Sequence, residues 1–193
     1  SDRDGDGYGD NPNGKDADAC SYTAGDSTND RLGCPDSDGD GWSNPDGTWN
    51  AAYGADAFID DPTQWTDFDG DRFGDNYDSS ALAALGIERY CSGLTCPGQN
   101  VIGAVNTDIC PILSGYQTNP SNRGCADSDN DSVPDNFDPW PLDGDLSLDL
   151  DNDGFAEDEQ APHQYKDACP NTSETLVKNG LISDKDRLGC DDG

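Results

Sequence analysis

The chain has 193 residues, of which Leu, Ile, Val and Phe supply only 27, and its 41 acidic against 10 basic side chains give a formal net charge of −31. So little aliphatic surface cannot build an ordinary hydrophobic core. The acidic excess also argues against nucleic acid as a partner and against anionic membrane surfaces, both of which draw on Lys and Arg. Multivalent cations are the natural counter-charge, and eight Cys together with acids set in short regular clusters oppose plain disorder.

The first cluster, residues 2–10, places Asp2, Asp4 and Asp6 at positions 1, 3 and 5, Gly7 at 6, the Tyr8 carbonyl at 7 and Asp10 at 9. That order of oxygen donors is the order of a Ca²⁺-binding loop, where the chain wraps the ion and odd positions point inward. Asp18-Ala19-Cys20 follows, and Asp30-Arg31-Leu32-Gly33-Cys34 closes a short loop with it. The second cluster starts two residues later with Asp36, Asp38, Asp40, Gly41, the Trp42 carbonyl, Asn44 at position 9 and Asp46 nearby. The third has Asp67, Asp69, Asp71, the Phe73 carbonyl, Asp75 and Asp78, with Arg72 where Gly is expected.

Residues 79–107 read as an insert. Ser79 or Ser80 is placed to cap a helix whose face carries Leu82, Leu85 and Arg89, and residues 101–105 are the best strand candidate. The insert is expected to form a small core of its own. Asp108-Ile109-Cys110 and Asn122-Arg123-Gly124-Cys125 then repeat the cysteine punctuation in degenerate form. The fourth cluster has Asp127, Asp129, Asp131, Ser132 in the Gly position, the Val133 carbonyl, Asp135 and Asp138. The fifth has Asp149, Asp151, Asp153, Gly154, the Phe155 carbonyl and Glu157. Asp167-Ala168-Cys169 and Asp186-Arg187-Leu188-Gly189-Cys190 complete a third punctuation, with a short helix expected from Ser173 through Lys178. Position 7 is apolar or aromatic in every cluster, which suits a side chain that packs outward while its carbonyl faces an ion. Arg72 and Ser132, standing where Gly is expected, predict strained turns.

Pairing each punctuation within itself predicts the disulfides Cys20–Cys34, Cys110–Cys125 and Cys169–Cys190, leaving Cys91–Cys96 by elimination. Eight Cys allow 105 connectivities, so other pairings stay open. The fold expected is loop-rich, extended and mostly irregular, with a few short helices and little strand. Its predicted parts are 1–78, Asp-rich repeats with one disulfide module; 79–107, the insert; and 108–193, Asp-rich repeats with two modules.

The pattern Asp-x-Asp-x-Asp-Gly-apolar-x-Asp-x-x-Asp resembles the thrombospondin type 3 repeat, and more closely the related Asp-rich repeats of prokaryotic surface proteins, which share the Asp-Ala-Cys and Asp-Arg-Leu-Gly-Cys punctuation seen at 18–34 and 167–190. The resemblance implies a chain wrapped around a series of Ca²⁺ ions and stapled by disulfides, in an extracellular or cell-surface setting. The type 3 repeat sets Cys two residues after position 12, and no cluster here does, so ion number does not carry over.

Hard oxygen donors without His or Cys favour Ca²⁺, about five ions or more. His163, the only His, has no Ser or Cys motif beside it, and no Gly-rich phosphate loop precedes a clear helix, so no enzyme is expected. A Ca²⁺-rigidified spacer, stalk or filament subunit explains most residues; a Ca²⁺-dependent adhesion module binding glycans or surface proteins is the alternative. Trp49, Trp65 and Trp140 are expected to pack between modules and not to bind ligand. Loops begin two residues after Cys34 and Cys125, and Asp192 stands at the same offset from Cys190. Continuation of the array, in tandem or by head-to-tail self-association, is therefore expected. Neither nucleic acid nor membrane insertion enters this reading.

Overall fold

The computed structural model describes residues 1–170, and its architecture follows from what the sequence lacks. With few aliphatic residues, turns held by side-chain carboxylates replace long elements. Among the described residues there is one α-helix, α1 (Ser79–Leu85), one 3₁₀ turn (Ala51–Tyr53), and β structure only as isolated bridges such as Gly9 with Ala17, Gly74 with Thr107 and Ala156 with Lys166. Helix α1 is capped by Asp78, not by Ser79 or Ser80. It stops at Gly86, whose φ of 68° continues no helix. Hence Leu82 packs inward, whereas Leu85 is 65% exposed and Arg89 lies beyond the helix.

The strand expected at 101–105 does not form. Its N–H groups go to scattered acceptors instead of one partner strand: Val101 donates to the Tyr77 carbonyl, Gly103 to Asp78 Oδ2, Ala104 to the Val101 carbonyl and Val105 to Thr63 Oγ1. Ile102 is left 91% exposed. The helix expected from Ser173, and Cys190, the expected partner of Cys169, lie outside the described residues.

Two compact units divide the chain, Ser1–Cys125 and Ala126–Gly193. The insert belongs to the first. Its Leu82, Ile87 and Tyr90 pack on Ile109, Cys110 and Cys125, so its core is shared with a disulfide module and is not local. Disulfides join Cys20 with Cys34, Cys91 with Cys96 and Cys110 with Cys125, as predicted. In the second unit Leu146, Ala156 and Ala161 form a cluster covered by Trp140.

Much of the interior is polar and paired. Gln64 is fully buried; its Nε2 donates to the carbonyls of Asn76 and Val105 at 3.0 and 2.7 Å, and its Oε1 accepts the Asn76 N–H at 2.9 Å. Asn76 in turn donates to the Thr63 carbonyl and accepts the Gln99 N–H. These two amides fix the spacing of three chain segments where an ordinary domain would use aliphatic contact. Gln64→Ala, which strands several of these groups at once, is expected to cost about 3 kcal/mol, read as a lower urea midpoint in saturating Ca²⁺. The tryptophans are packed as expected: Trp42 stacks on Trp65 with centroids 6.1 Å apart, and Trp49 lies under Arg31 and donates its indole N–H to Asp30.

Candidate metal centres

Each Asp cluster folds into a loop with the same hydrogen-bond frame. The N–H at position 9 donates to the carbonyl just before position 1, from Asp10, Asn44, Asp75, Asp135 and Glu157 to Ser1, Pro35, Thr66, Ala126 and Leu148, at 2.7–3.0 Å. The position-9 side chain accepts the N–H of position 2. Position 1 accepts the N–H of position 6 through Oδ2, and position 5 accepts the N–H of position 7 through Oδ1.

This frame sets φ near +80 to +100° at position 6. Gly7, Gly41 and Gly154 adopt it freely, while Arg72 and Ser132 are forced to 79° and 84°, the strain foreseen from sequence.

The frame brings the acids together. One carboxylate oxygen from each of Asp2, Asp4 and Asp6 lies within 4.8 Å of the others, and the same holds for Asp36, Asp38 and Asp40; Asp67, Asp69 and Asp71; Asp127, Asp129 and Asp131; and Asp149, Asp151 and Glu157. Asp153, at position 5 of the fifth loop, is buried with an unpartnered Oδ2.

Two predicted ligands fall elsewhere. Asp46 binds Arg31 and the N–H groups of Thr48 and Trp49, and the guanidinium, followed by those hydrogen bonds, holds its carboxyl well below the usual range. Asp78 spends both oxygens on α1 and on Gly103; the Ser80 hydroxyl, then those N–H groups, lower its pKa to about 2. Position 9 also splits by loop. Asn44 and Asp135 are held at both side-chain atoms by Ser37 and Ser128, whereas Asp10, Asp75 and Glu157 each keep one buried oxygen unpartnered. The first, third and fifth loops thus form one class, and the second and fourth another.

A further acid stands against every loop. Asp18, Asp56, Asp108, Asp138 and Asp167 are all buried, and the neighbouring loop's carboxylates raise the pKa of each after burial itself. Of these only Asp138 was expected. The sequence signal is Asp-x-Cys or Asp-x-aromatic: in all five, Oδ1 accepts the N–H two residues on, from Cys20, Phe58, Cys110, Trp140 or Cys169. Four of them reach their loop through a backbone bond, their N–H donating to the position-8 carbonyl of Gly9, Ser43, Gly74 or Ala156.

The carboxylate oxygens that are buried without a partner among the described residues all belong to these five cages. Asp4 and Asp151 expose neither oxygen to water or to a donor, and neither of the ion pairs Lys15–Asp16 and Arg31–Asp46 involves a cage acid. Burial, followed by the charges of neighbouring acids, pushes Asp40, Asp69 and Asp153 up to about 6. Asp56 rises to about 7 and Asp108 to about 8 for the same reasons. A buried carboxylate without a donor is costly unless a cation supplies the counter-charge, so the donor set fits hard metal ions.

No protein-family model matches the chain, and no curated protein matches it either. The functional reading therefore rests on the chemistry of the cages. Three disulfides point to an oxidising location outside the cytoplasm. Among the described residues no helix is long and apolar enough to cross a membrane.

Proposed function

We propose that the chain is a non-enzymatic, Ca²⁺-binding structural module of an extracellular or cell-surface protein, rigidified by about five ions and serving as a spacer, stalk or filament subunit. The observation that carries this reading is the confinement of unpartnered buried carboxylate oxygens to five cages of one hydrogen-bond design. Oxygen-only donors in loops of varied closure suit Ca²⁺, which accepts irregular shells of six to eight ligands. Mg²⁺ demands a near-octahedral shell and sheds water reluctantly. Tryptophans engaged in packing support a structural role over a display of aromatic ligand contacts.

Equilibrium dialysis with elemental analysis is expected to find about five Ca²⁺ per chain that an equal concentration of Mg²⁺ does not displace. A protein that retains no Ca²⁺ after dialysis against micromolar Ca²⁺, or that exchanges it readily for Mg²⁺, contradicts the proposal.

A further inference from the structure

We infer that in the first, second, third and fifth cages the ion is completed by a carboxylate from outside the loop, namely Asp18, Asp56, Asp108 and Asp167, so that each ion ties its loop to a following segment and, in the first and third cages, to the residues that lead into a disulfide ring. This rests on the Ca²⁺ reading above and names ligands that the loop spacing does not contain.

These four side chains are more than nine-tenths buried, with Asp56 at 0% and Asp108 at 1% exposure. In each, the N–H two residues on holds Oδ1, and Oδ2 has no partner. An ionised oxygen of this kind beside three or more acids is costly unless a cation supplies the counter-charge. Arg89, whose charge interacts with Asp75 and Asp108, donates from its guanidinium to the main-chain carbonyls of Asp108 and Pro97 instead of to the carboxylate.

Two described disulfide rings contact the loops that Asp18 and Asp108 face. In the ring closed by Cys20–Cys34, the Gly25 N–H reaches Asp6 Oδ2 at 3.3 Å; in the ring closed by Cys110–Cys125, the Gly115 N–H reaches Asp71 Oδ2 at 3.1 Å. Both bonds grip position 5 of the facing loop. The glycine before the second Cys leaves room for the closing acid: a Cβ at Gly33 would stand 2.7 Å from Asp18 Oδ1, and one at Gly124 would stand 1.9 Å from Asp108 Oδ1. Each closing acid, two residues before the first Cys of its ring, is therefore backed by a disulfide. By thermodynamic reciprocity, an ion bound at that acid also protects that disulfide.

The test uses the full chain and Ca²⁺ itself. Calorimetric titration of Asp108→Asn, Asp18→Asn and Asp56→Asn, which keep the turn-forming oxygen, is expected to show one site in each weakened at least about tenfold, with the others unchanged. In saturating Ca²⁺, a water-soluble phosphine followed by alkylation and mass spectrometry reads each bridge separately. Asp108→Asn is expected to speed reduction of Cys110–Cys125 and spare Cys20–Cys34, and Asp18→Asn to do the reverse. Unchanged Ca²⁺ affinity in these variants, or equal change at both bridges, overturns the inference. Absence of Ca²⁺ binding by the unsubstituted chain would instead overturn the proposed function.

Discussion

Stripping Ca²⁺ from the chain at neutral pH is expected to abolish its ordered structure, seen as loss of near-ultraviolet circular dichroism and of protection from hydrogen exchange and protease. The apolar clusters, Ile109 with Cys110 and Cys125 in the first unit and Leu146 with Ala156 and Ala161 in the second, are too small to hold a domain against the conformational entropy of its loops. What opposes unfolding must come from outside the hydrophobic effect. A site filled at a hundred times its dissociation constant contributes about 2.7 kcal/mol. Five such sites contribute roughly 13 kcal/mol, comparable to the whole stability of an ordinary domain, about 5–15 kcal/mol. Removing the ions also restores repulsion among carboxylates held within 4.8 Å of one another. The three short disulfide loops of the described residues should persist as local closures without restoring the cages between them. A chain that keeps the same protection with and without Ca²⁺ refutes this expectation.

The loops were legible because their information is local. Positions 1, 3, 5 and 9 lie within nine residues, and a wrapped chain turns that alternation directly into inward-pointing oxygens. Four of the five closing acids were not: Asp108, for example, serves a loop that begins at Asp67 and stands in a segment whose Cys draws attention to the bridge instead. Proximity misled where a nearer acid was available. Asp46 and Asp78 follow their loops closely, yet Arg31 and the start of α1 offer each a complete set of donors that a cage does not. Residues 101–105 failed as a strand for a related reason. Their β-forming side chains have no neighbouring strand, and Gly103 at φ 84° bends the segment toward Asp78. The shared core of the insert was hidden because Ile87 and Tyr90 complete it from beyond the end of α1.

Stability is expected to depend on pH in opposite directions with and without Ca²⁺. In the ion-free fold, burial and then the charges of neighbouring acids raise Asp40, Asp69 and Asp153 to about 6, Asp56 to about 7 and Asp108 to about 8. Asp75, raised mainly by burial, also stands at about 6. In the unfolded chain each returns to about 3.9. Between these values the fold holds more protons than the unfolded chain, so its stability is fully present below about pH 4 and is lost as pH rises through about 6 to 8. With Ca²⁺ bound the sign reverses. The ion requires ionised oxygens, so protons compete with it and stability is lost as pH falls. Thermal unfolding of Ca²⁺-stripped protein should therefore give its highest midpoint near about pH 4 and none near about pH 8, while Ca²⁺-saturated protein should show its highest midpoint at the alkaline end. Curves that slope the same way in both states would mean that the cage carboxylates are not the groups linking the ions to the fold.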